Sequence, residues 1–217
     1  MAEHHGLRLL SLLVFALLLT GCVNTEDATR GVYLIAVPPE GDAAVEEVEE
    51  VVTELLSAAR PGDALALDRP DLGAREGMHL DGRPSRAVTQ IRALSRQLAT
   101  LAEKPRGSGD ALASGLVQSV SRGLHFLEHP RFGRRLVILF SDLRGTDPRG
   151  LPSELSEYDF VAINSSLWRG GSAQAWAYLR RIDDWQRAVE SRGGDWRVVS
   201  MERNIATSLV DGGEEGR

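Results

Sequence analysis

Residues 134–142 read Arg134-Arg135-Leu136-Val137-Ile138-Leu139-Phe140-Ser141-Asp142. An unbroken apolar run of this length, rich in β formers, has no wet face. It predicts a strand covered on both sides, and strands of that kind belong to parallel sheets. Two further runs have the same character: Gly31-Val32-Tyr33-Leu34-Ile35-Ala36-Val37, stopped by Pro38-Pro39, and Asp159-Phe160-Val161-Ala162-Ile163-Asn164. Ala64-Leu65-Ala66-Leu67 and Trp196-Arg197-Val198-Val199 read as shorter strands, and Met78-His79-Leu80 as a candidate edge strand.

Helical periodicity fills the spaces between them. Val45, Val48, Val52, Leu55, Leu56 and Ala59 fall at helical spacing behind a candidate N-cap, Asp42. Glutamates occupy the intervening positions, which reads as a solvated face. Pro84 starts a second helix carrying Val88, Ile91, Leu94, Leu98 and Leu101 to about Glu103. Leu112, Leu116, Val120, Leu124 and Leu127 mark a third. A fourth, from about Ser172 to Ser191, is expected to bury Trp176, Leu179, Ile182 and Val189 before Gly193-Gly194 ends it. Alternating strands and helices predict an α/β fold, a Rossmann-like parallel sheet flanked by helices on both faces.

The chain has 217 residues, 42% of them hydrophobic, enough for one medium domain and too apolar for a disordered chain. Its formal net charge of −6 argues against nucleic acid as a partner, since phosphate neutralisation needs a basic surface. The one cysteine rules out an intrachain disulfide or a cysteine-cluster metal site.

That cysteine stands at the end of a leader. Leu9-Leu10-Ser11-Leu12-Leu13-Val14-Phe15-Ala16-Leu17-Leu18-Leu19 is too short to span a bilayer, which needs about 20 apolar residues, and suits the centre of a cleaved signal. Leu19-Thr20-Gly21-Cys22 follows and resembles the bacterial lipobox. The resemblance implies a signal peptide over 1–21, cleavage before Cys22 and palmitate-like acylation there. Two or more acyl chains hold a protein stably to a membrane without spanning it. Residues 22–30 are then a lipidated, polar tether. Val23 stands where an aspartate would favour inner-membrane retention in enteric bacteria, which favours the periplasmic face of the outer membrane. Residues 206–217 form a polar tail.

The body, residues 31–205, resembles the von Willebrand factor type A domain. Gly31–Val37 stands as first strand, Arg134–Asp142 as the central strand ending in Ser-Asp, and Gly107-Ser108-Gly109-Asp110-Ala111-Leu112 as the loop before a helix. The family carries a metal-ion-dependent adhesion site: Asp-x-Ser-x-Ser after the first strand, a threonine before a helix and an aspartate after the central strand. Magnesium needs about six oxygens, so the set works only together. Here Val37-Pro38-Pro39-Glu40-Gly41-Asp42 replaces the first element, Ser108 or Asp110 stands at the second, and Asp142 alone is kept. The resemblance therefore implies a degenerate site with no resident cofactor, and with Ser108 and Asp142 as the residues a magnesium ion would use.

In doubly wound folds ligands bind beyond the carboxyl ends of the strands. The candidate binding rim is accordingly Glu40, Asp42, Ser108, Asp110, Asp142, Ser165 and Trp168, with Trp168 as an exposed contact. His125 and His129, four apart, read as a helix-end pair rather than as ligands. There is no Gly-x-Ser-x-Gly elbow and no phosphate-binding Gly-x-x-x-x-Gly-Lys loop. The expectation is a non-enzymatic, lipid-anchored module that binds or scaffolds an envelope protein. A metal-dependent adhesion module and an envelope hydrolase built on Asp142 are the alternatives.

Overall fold

The computed structural model describes residues 29–38, 42–104, 112–164 and 172–200. Its strands are β1 (Arg30–Val37), β2 (Ala64–Arg69), β3 (Ala74–His79), β4 (Arg134–Ser141), β5 (Asp159–Asn164) and β6 (Asp195–Ser200). The helices are α1 (Asp42–Ser57), α2 (Pro84–Ala102), α3 (Leu112–Leu127) and α4 (Ser172–Glu190). One 3-10 turn, Pro148–Gly150, lies between β4 and β5. The strands form one sheet in the order β3-β2-β1-β4-β5-β6. All pairs are parallel except β2 with β3. The expected α/β architecture is therefore present.

The three apolar runs are the middle of the sheet. From Leu136 to Phe140 no residue of β4 is more than 1% exposed, and β1 and β5 are buried almost as fully. Helices on both faces produce this burial. β1 to β2 moves toward one edge and β5 to β6 toward the other, so right-handed crossovers put α1 and α4 on opposite faces. α2 packs against α1, β2 and β3. α3 lies across the other face, over β1 and β4. Its approach to β1 is close: a Cβ on Gly123 would stand 2.6 Å from the Tyr33 ring.

Several sequence expectations are corrected. The edge strand spans Ala74–His79 rather than 78–80. It is short and polar and antiparallel to β2, so hydrophobic periodicity does not reveal it; Gly73, at φ 61°, turns the chain into it. β2 runs on to Arg69 because both charges at its end are paired and buried. α1 begins at Asp42, which places that residue in the helix rather than ahead of it.

The phase of α4 also differs. Trp176 is 66% exposed and Leu179 47%, whereas Tyr178, Ile182, Trp185 and Val189 face the core. The spacing 178, 182, 185, 189 is a helical stripe, and Trp176 lies well off it. Val88 likewise turns outward while Ala87 turns in. No helix among the described residues is long and apolar enough to cross a membrane.

Candidate functional site

β1 and β4 are neighbours whose chains leave in opposite directions along the sheet, so the crevice beyond Val37 and Ser141 is the topological switch point. Asp142 stands there, on the residue after β4. Its carboxylate is engaged by its own turn. Oδ1 accepts from the Arg144 amide at 3.0 Å, and Oδ2 pairs with Arg144 Nε at 2.8 Å. Between them Leu143 adopts a left-handed φ of 58° and buries its side chain. Ser141 Oγ accepts from the Leu143 amide at 3.0 Å.

The turn is anchored from α4. Arg181 Nε donates to the Asp142 carbonyl at 2.7 Å, and burial pulls the Arg181 pKa down. Trp185 Nε1 donates to Thr146 Oγ1 at 3.1 Å, and Thr146 in turn donates to the Leu143 carbonyl. Sequence reading missed Arg144, Thr146 and Arg181 as partners of this loop. Only Arg144, two residues beyond an aspartate, left a local signal, that of an Asx turn.

Of the other sequence-predicted residues, Cys22, Glu40, Ser108, Asp110, Ser165 and Trp168 lie outside the described residues, as does the side chain of Asp42. Asn164 ends β5 beside the same rim, and its Oδ1 has no hydrogen-bond partner among the described residues. No group of three or more His, Cys, Asp or Glu among the described residues is arranged to hold a metal.

A second set of charges is buried along β2. Asp68 accepts from the Tyr33 hydroxyl at 2.8 Å and from Arg122 Nε and Nη2 at 3.1 and 3.0 Å. Ser119 holds Arg122 at 2.6 Å. Burial, with Asp68 next, pushes the Tyr33 pKa well above the usual phenol range. Asp63 accepts from the Arg30 amide and guanidinium, both at 2.8 Å, and from the Arg60 amide at 2.9 Å. These groups hold β1, β2 and α3 together as struts.

The histidines part company. α3 ends at Leu127, so His129 lies beyond the helix and its ring stands 5.9 Å from that of His79 at the end of β3. His79 also meets Phe126 at 4.7 Å and Phe132 at 5.7 Å, and its Nδ1 lies 3.4 Å from Arg131 Nη2. His125 pairs with Glu128 at 3.2 Å instead. No protein-family model and no curated protein matches this chain.

Proposed function

We propose that the chain is a lipid-anchored cell-envelope protein whose von Willebrand A-like body binds or scaffolds a protein partner without catalysing a reaction. The apolar leader ending in Leu19-Thr20-Gly21-Cys22 supports the anchor. The six-stranded sheet with helices on both faces accommodates the family resemblance. The observation that carries the non-enzymatic reading is the state of Asp142. Its two oxygens are held by the Arg144 side chain and amide, within a turn that α4 also ties down.

The described residues at this position do not fit a magnesium ion. A guanidinium occupies the carboxylate that would lead the ligand set, and one carboxylate falls well short of the oxygens the ion requires. The same pairing counts against Asp142 as the general base of a hydrolase. The protein-binding reading predicts a melting temperature unmoved by Mg²⁺, Mn²⁺ or EDTA. A rise of several degrees at millimolar metal would establish the adhesion alternative instead. Mass spectrometry of the natural product tests the anchor. A start at Cys22 with an acyl adduct supports it, and an intact leader or an unacylated start elsewhere refutes it.

A further inference from the structure

We infer that the outer edge of β3 is a docking site for an extended acidic polypeptide segment, which adds to the sheet as a seventh strand. This edge lies apart from the strand-end rim. Among the described residues β3 pairs with β2 on one side only. Gly77 lies at its centre, exposed, and a Cβ there would stand 2.6 Å from that of Ala66, so glycine lets β3 pair closely with β2. An incoming strand would have its main-chain groups satisfied there, as in β-strand addition elsewhere.

The chemistry on either side of that edge selects the occupant. On the α3 face, Arg75 and His79 project from β3, roughly 13 Å apart at about 3.3 Å per residue. Arg75 lies against Tyr33, beside Arg122, and Phe126 joins that group to His79. Arg131 continues the row past His79. Arg75 and Arg131 thus make a basic row in a chain whose formal net charge is −6, while Arg122 between them is paired with Asp68. The acid in its midst, Asp68, is buried and spent on Tyr33 and Arg122.

On the α2 face, a shallow, open cleft of about 480 Å³ lies beside Glu76 of the same strand, lined also by Ala93, Arg96, Gln97 and Thr100. An added strand would set alternate side chains into this cleft and the others against the basic row. Charges on an edge strand discourage pairing between copies. A basic row repels another basic row but admits an acidic one, so the same residues exclude self-association and choose the partner's sign.

The test uses the full chain in non-ionic detergent and a blocked octapeptide alternating glutamate with threonine. The expected result is saturable binding with slowed amide exchange in Ala74–His79. Arg75→Glu combined with Arg131→Glu should weaken it about tenfold or more, since both side chains are exposed rim charges. The same peptide with lysine for glutamate, or with alternate amides N-methylated, should not bind. No binding, equal binding of the lysine peptide, or protection confined to other strands overturns the inference. Equal binding of the N-methylated peptide also overturns it, because charge alone would then suffice and any polyanion would serve. None of these results touches the rim or the lipid anchor, which metal melts and acyl mass test separately.

Discussion

Arg69 and Asp71 form a two-pronged ion pair with both side chains at 0% exposure, Nε to Oδ1 at 3.0 Å and Nη2 to Oδ2 at 2.8 Å. The third guanidinium nitrogen lies 3.0–3.3 Å from the carbonyls of Leu101, Ala102 and Lys104, at the C-terminus of α2. One arginine therefore caps a helix and ties it to the end of β2, where the cation also meets the negative pole of the helix. Asp71→Ala leaves that cation buried without its counter-charge and should cost about 3–5 kcal/mol. Replacing both residues by apolar ones of similar volume should cost less than either single change. Urea unfolding of the three variants measures the order.

Gly123 decides how close α3 comes to the sheet. The Tyr33 ring cannot retreat from an added Cβ, because its hydroxyl is held by Asp68 at 2.8 Å. Gly123→Ala should therefore destabilise by about 1–3 kcal/mol through overpacking, against the usual gain of alanine in a helix. Tyr33→Phe made first should relieve part of it, since the ring then loses the hydroxyl bond that holds it in place. A double-mutant cycle on the thermal or urea midpoint tests this.

The two α4 tryptophans should behave oppositely. Trp185 is 1% exposed and hydrogen-bonded to Thr146, so Trp185→Ala should cost about 3–5 kcal/mol. Trp176 faces outward, and Trp176→Ser should stay within about 0.5 kcal/mol of the parent. Fluorescence quenching by iodide should likewise lose its most accessible component among the described tryptophans in Trp176→Ser.

Acid should weaken the β3 edge. Burial lowers the His79 pKa, and Arg131 and then His129 lower it further. The unfolded chain then takes up its proton at a higher pH than the folded one. The contribution is present above the ordinary histidine pKa of about 6.5 and is lost as pH falls through the lowered folded value. His79→Gln should flatten the fall in unfolding midpoint between pH 7.5 and 5. An unchanged slope would place the sensitivity elsewhere.

How much of the candidate site was legible differs by residue. Asp142 could be placed after the central strand from the run Leu136–Phe140 alone, because an apolar strand ends where charge begins. That its carboxylate pairs with Arg144 required the left-handed turn at Leu143, and that its backbone carbonyl is held required the reach of Arg181 from α4, 39 residues away in sequence. His79 and His129 looked unrelated because they are 50 residues apart. The antiparallel turn of β3 brings His79 to the same end of the sheet as the C-terminus of α3.

By itself the sequence determined the layer architecture. Strands buried on both faces must be apolar throughout, and helices buried on one must be striped, so each pattern declares its environment locally. Only the tertiary structure decided which stripe of α4 points inward, that β3 pairs at the edge, and that Asp68, Arg69 and Asp71 are buried. Edge strands and paired charges carry no hydrophobic signature: their burial depends on partners supplied from other elements, and those partners meet only once the sheet has formed.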